Sequence, residues 1–135
     1  TPPTGSPSSD DKQWGMFAWL GALIVGFISC GLGFVAPLVI MMTKGKESTF
    51  VRANAVEALN VYITVAIVDV GALIVWIFLA ILSAVISGFF GVLGFFVWLL
   101  LIAAGLYGLI IAIMGAIAAN NGTEYKAPFA IRLVK

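Results

Sequence analysis

Arg52-Ala-Asn-Ala-Val-Glu-Ala-Leu-Asn-Val-Tyr-Ile-Thr64 is the stretch where the polar chemistry of this 135-residue chain meets its longest apolar run. On a helix, Asn54, Glu57, Asn60 and Thr64 fall within about one third of the circumference. From Val65 to Leu82 the side chains are apolar except for Asp69. A polar stripe that leads into such a run belongs on a helix entering a membrane.

The composition requires the same solvent. The chain is 62% hydrophobic and 10% charged, with a mean hydropathy of +1.15. A soluble domain carries about a quarter of its residues as charges, so lipid must cover most of this surface. The net charge of +1 gives no electrostatic case for nucleic acid. The absence of histidine excludes His-based triads and imidazole ligands, and a single cysteine allows no internal disulfide. The chain opens on Thr1 rather than Met, which is compatible with a longer parent chain or a lost targeting segment. Phe27-Ile28-Ser29-Cys30 loosely resembles a lipoprotein cleavage box, but a helix end is the plainer reading.

Residues 1–13 are polar and rich in Pro and Ser, so a disordered tail is expected there, with Asp10 or Asp11 capping the helix that follows. Residues 14–43 hold no charge. Cys30-Gly-Leu-Gly33 interrupts them and Pro37 restarts them. The spacing predicts helices over 14–29 and 35–43, about 24 Å and 14 Å long at 1.5 Å per residue. Both are short against a hydrocarbon core of about 30 Å, so a broken, partly re-entrant hairpin is expected. A long helix over 50–87, capped by Ser48 or Thr49, and another over 92–119 follow, joined by a tight turn at 88–91. Asn120-Asn121-Gly122 stops the last helix. Residues 123–135 form a tail in which Phe129, Ile131 and Leu133 alternate with Ala130, Arg132 and Val134, a weakly strand-like or interfacial pattern. The predicted fold is therefore all-α: a polytopic membrane bundle of four helices over 14–122, with a short broken N-terminal hairpin and a long two-helix hairpin.

All but one of the thirteen charges lie in residues 10–12, 44–57 and 124–135, and Asp69 is the exception. If the chain crosses or dips four times, these segments share one face. That face holds every Lys and Arg, and the positive-inside rule puts it in the cytoplasm with both termini. If the first hairpin counts as one broken crossing, residues 10–12 lie on the opposite side.

A turn centred at 89–90 makes facing residues of the long helices sum to about 179. Small residues recur at Ala104, Gly108, Ala112 and Ala116, and at Ala80, Ala84 and Gly88, a spacing that lets backbones approach closely in lipid. Asp69 shares the stripe of Ala80, Ala84 and Gly88, which places it near Ile110 and within a turn of Tyr107. It is expected either to be satisfied by Tyr107 or a backbone group, or to serve as an intramembrane proton or cation site. The same register sets Asn60 near Ala119, Glu57 near Asn120, Asn121 and Gly122, and Arg52 opposite the tail at Ala127. Glu57 is expected to accept hydrogen bonds from the tail, with Arg132 or Lys126 as its charge partner. A polar clasp of Arg52, Asn54, Glu57, Asn60, Thr64, Asn120, Asn121 and Arg132 would hold the bundle shut.

Trp14-x-Met16-x-Ala18, Gly33-Phe-Val-Ala-Pro-Leu38, Glu57-Ala-Leu-Asn60 with Thr64, Gly115-x-x-Ala118-x-Asn120-x-Gly122 and Pro128-Phe-x-Ile-Arg132 occur in that order. Together they resemble a bacterial and archaeal family of small membrane proteins of unknown function. Its members are described as similar to the twenty-kilodalton, Tic-like subunit of the chloroplast inner-envelope translocon. The resemblance spans residues 14–135 and implies a helical bundle with a channel-like relative and no catalytic residues. The chain departs from the family around Trp19, where a first-helix His or other polar residue is usual.

With no second acid, nucleophile or metal-ligand set beside Glu57, no enzyme and no cofactor are expected. The expected role is an accessory, assembly or scaffold subunit in the prokaryotic cytoplasmic membrane. Its partners would be the lipid bilayer and other membrane subunits or further copies. The alternative is a transporter or channel component that uses Asp69.

Overall fold

Ser48 starts the longest helix. Its backbone is extended, and its hydroxyl accepts from the Val51 amide at 3.3 Å, which satisfies one of the free donors of the first turn. The computed structural model, which describes residues 7–29, 31–86 and 89–134, contains four helices. They are α1 (Ser9–Ser29), α2 (Val35–Met42), α3 (Thr49–Val85) and α4 (Phe89–Asn120), with a single 3-10 turn at Lys44–Lys46 before α3. No strand occurs among the described residues. The architecture is the expected all-α bundle, and α3 and α4 are each long and apolar enough to cross a membrane.

The first helix begins five residues earlier than its composition suggested. The Ser8 hydroxyl accepts from the Asp11 amide at 3.1 Å, while the Asp11 carboxylate accepts from the Ser8 amide at 3.4 Å. This reciprocal capping box draws residues 9–13 into α1. The cap is therefore Ser8 rather than Asp10 or Asp11. Residues 1–6 of the expected tail, and Cys30, Ser87, Gly88 and Lys135, lie outside the described residues.

The helices share one end. Lys44 Nζ lies 5.4 Å from the centre of the Trp14 ring. The Lys12 side chain lies over Gly122, close to the carbonyl end of α4, where a cation is favoured. Gly15 packs between Phe50 and Ala119. The segments 10–12 and 44–52 and the start of the tail thus meet at one end of the bundle. From there α1 descends beside α3 until Gly26 meets Tyr62. The chain then turns, and α2 climbs back. The turn is possible because Gly33 lies against the Ala22 carbonyl and the Tyr62 ring, where a Cβ would overlap both.

The long hairpin is set in a different register from the expected one. Val65 faces Gly108, Trp76 faces Gly94 and Ser83 faces Gly91. This is about two turns off the expected pairing. The α3 helix ends at Val85 and α4 starts at Phe89, so the reversal is centred before 89–90. The shift turns another face of α3 towards α4. Ala72 is buried while Ala80 and Ala84 are exposed, so the expected pairing through those two alanines does not form. On α4, Ala104, Gly108, Ala112 and Ala116 are all buried.

The tightest contact joins three elements. The Trp19 indole is fully buried against Gly115 of α4, where a Cβ would overlap the ring, and it meets Tyr125 edge-on at 6.0 Å. Gly115→Ala should destabilise the bundle by about 1–3 kcal/mol through overpacking, read as a lower thermal midpoint in mild detergent. Adding Trp19→Phe should recover part of the loss; a midpoint unmoved by Gly115→Ala would refute this packing.

Candidate functional site

The polar stripe of α3 is buried, and it holds the tail. Glu57 is 2% exposed. Its carboxylate accepts from the Ala127 amide at 2.5 Å and forms an ion pair with Arg132. The guanidinium also donates to the Ala127 carbonyl at 2.9 Å, closing a ring of contacts around one residue of the tail. Its bond to Glu57 raises the pKa of Arg132 above its ordinary value, against the opposing pull of burial.

Asn60, one turn further on, reads a peptide unit as another peptide would. Its amide nitrogen donates to the Val134 carbonyl and its amide oxygen accepts from the Val134 nitrogen, both at 2.8 Å. The Thr64 hydroxyl donates to the Asn60 carbonyl at 2.7 Å and accepts from the Ile131 amide at 2.8 Å. Tyr107 of α4 donates to the Pro128 carbonyl at 2.6 Å.

Together these bonds trace the path of the tail. It leaves α4 through a Schellman cap, with Gly122 at φ +83° and bonds from the Gly122 amide to Ala119 and from the Thr123 amide to Ala118. It then runs beside Glu57 and turns at Pro128 and Phe129. Phe129 borders the same groove as Val68 and Leu100. The chain returns past Thr64 to Asn60. This is a loop folded back along α3 with Phe129 at its apex, 91% exposed and held at φ +64°. Backbone packed among apolar helices needs its polar groups satisfied by protein, and Glu57, Asn60, Thr64, Tyr107 and Arg132 do this. The expected alternation of faces holds only in part: Phe129, Ile131 and Leu133 are exposed and Ala130 and Val134 half-buried, but Arg132 is exposed as well. The loop pairs with side chains of α3, not with a strand.

The structure divides the other expected members of the clasp. Asn54 is buried but belongs to the α1 contact: its side-chain oxygen accepts from the Trp19 indole and its nitrogen donates to the Phe50 carbonyl, both at 3.0 Å. Asn120 and Asn121 are exposed at the end of α4, while Glu57 is bonded to Ala127 and Arg132. Arg52 is exposed beside Gly45, and Ala127 is bonded to Glu57. The charge partner of Glu57 is Arg132, and Lys126 is exposed. All three placements follow from the register, because the loop fills the space where the end of α4 was expected.

Asp69 and Tyr107 are likewise separated. Asp69 lines a groove of about 500 Å³ with Phe27, Tyr62, Gly105 and Leu109, while Tyr107 borders the groove on the Phe129 side. The sequence reading missed Trp19 and Tyr62. Tyr62 donates to the Gly108 carbonyl at 3.0 Å. The usable signal was a bulky ring on one helix matched by an interior glycine on another.

The geometry defines a class: a small helical membrane protein whose buried polar residues bind its own C-terminal loop. The chain belongs to the magnetosome magnetite crystal formation protein family, MamF/MmsF, which it matches over residues 10–134. This is a family of small bacterial membrane proteins, in line with the resemblance, but the match carries no likeness to the chloroplast translocon subunit. No curated protein and no solved structure matches the chain.

Arg132→Ala leaves Glu57 buried without its cation. A fully buried pair costs about 3–5 kcal/mol to break, and partial exposure of Arg132 places the loss near the lower end. The expected readout is faster tryptic cleavage after Lys126, because the loop is released. A Glu57→Arg, Arg132→Glu double variant that recovers none of the protection would argue against a direct pair.

Proposed function

We propose that this chain is a non-catalytic accessory subunit of the membrane in which magnetite crystals form, acting by assembly with other membrane subunits or with further copies of itself. The observation that carries this reading is the state of Glu57, the one buried acid among the described residues. It is closed off by Arg132 and the Ala127 amide and presents no free face to a substrate. Among the described residues no cluster of His, Cys, Asp and Glu has metal-binding spacing. The family description, crystal formation in the magnetosome, supports a role in that membrane. The shared charged end supports an orientation with residues 10–12, the turn before α3 and the start of the C-terminal tail on the cytoplasmic side, by the positive-inside rule.

Native mass spectrometry after mild detergent extraction tests the reading. The expected result is a stoichiometric complex with another membrane protein or a defined homo-oligomer. A monomer at every detergent and protein concentration would sink it.

One observation favours a second reading. Asp69 lines an open groove on the membrane-facing side of the bundle, where a carboxyl group is costly and often functional. A transporter component would pass protons or cations in liposomes, and Asp69→Asn should abolish the flux. Equal flux in both proteins, or none in either, removes this alternative.

A further inference from the structure

The bundle has two different widths. At its charged end four helices lie side by side, together with the C-terminal loop. The first hairpin ends where Gly26, Phe27 and Gly31 meet Tyr62, Val65 and Asp69. Beyond that level only α3 and α4 continue, touching through Trp76 with Gly94 and Ser83 with Gly91. No residue of α3 after Ala72 is buried. The α1 run of residues 14–29 is about 24 Å long, whereas the apolar run of α4 over 89–119 is about 46 Å. The first hairpin thus reaches about half the depth of the second.

Lipid covers the narrow end. No charged residue occurs from Val70 to Thr123. Ile74, Phe78, Ile81, Phe95, Phe96 and Trp98 are all exposed. A helix about 10 Å across occupies about 80 Å² in the membrane plane. The wide end therefore takes roughly twice the area of the narrow end, before the loop is added.

From this shape we infer that the protein is a membrane wedge, which sorts to curved bilayer and promotes it, with its charged end on the convex face. The inference rests on the reading that the chain spans the bilayer. A body that fills more area in one leaflet than in the other relaxes its misfit where that leaflet is the outer, expanded one. With the charged end in the cytoplasm, the convex face is cytoplasmic and the narrow end points into the enclosed lumen. Exposed Phe129 adds to the asymmetry, since the loop widens the same end.

The test uses the full chain, fluorescently labelled, in giant vesicles of phosphatidylcholine and phosphatidylglycerol from which narrow membrane tubes are pulled. Tryptic cleavage from outside, after Lys46, which is exposed in the turn before α3, reports which end faces outward. With the charged end outside, the protein-to-lipid ratio in the tube should exceed that of the parent vesicle several-fold. With the opposite orientation it should fall below it. Equal ratios, or enrichment regardless of orientation, would overturn the wedge while leaving the membrane-subunit reading intact. A chain extracted by alkaline carbonate has not inserted, and that result would overturn both.

Discussion

Most of the polar chemistry inside this bundle answers to one constraint: a peptide backbone placed among apolar helices must have its amides and carbonyls bonded. The C-terminal loop brings such groups at Ala127, Pro128, Ile131 and Val134. A neutral amide, a hydroxyl, a phenol and an ion pair meet them in turn. Glu57 is tolerable at 2% exposure because it has two partners, and Arg132 is tolerable beside it because it also serves the Ala127 carbonyl. The loop and the stripe make each other possible, and neither is stable in lipid alone.

The apolar contacts fix where this polar set can form. Trp19 spans α1, α3, α4 and the loop through Gly115, Asn54 and Tyr125. Tyr62 does similar work deeper down, between Gly33, Gly26 and the Gly108 carbonyl. In both cases a large ring with a polar tip lies against glycine and donates its hydrogen bond across a helix boundary, the arrangement by which an aromatic side chain is buried at least cost. Gly108 of the small-residue row on α4, and Gly115 beside that row, let these rings sit close to the helix axis. The row's partners are rings as well as the small residues of another helix.

Membership of the bundle was legible because composition and charge placement are global properties. No local error hides thirty uncharged residues or the confinement of nearly every charge to three segments. The bond between Glu57 and the tail was legible for a related reason: a lone acid at the edge of an apolar run has few candidate partners. Register was not legible. Moving the reversal by a few residues changes which face of α3 meets α4, and that error exposed Ala80 and Ala84 and misplaced the partners of Asn60 and Arg52. The helical start at Ser9 was hidden because a capping box reads, by composition, like more of the same polar tail. Trp19 was hidden because in an apolar run its ring looks like ordinary lipid-facing bulk.

The long sequence separation inside the clasp bears on how the protein is made. Glu57 and Ala127 are seventy residues apart, and Asn60 and Val134 seventy-four. During synthesis α3 emerges first, carrying an acid, an amide and a hydroxyl whose partners do not yet exist. The start of α3 must therefore wait in a hydrated setting, at the bilayer surface or within the insertion machinery, until residues 127–134 arrive. Closure of the bundle is then a late, post-insertional step, and an immature form with a wetted α3 precedes the mature one in the membrane.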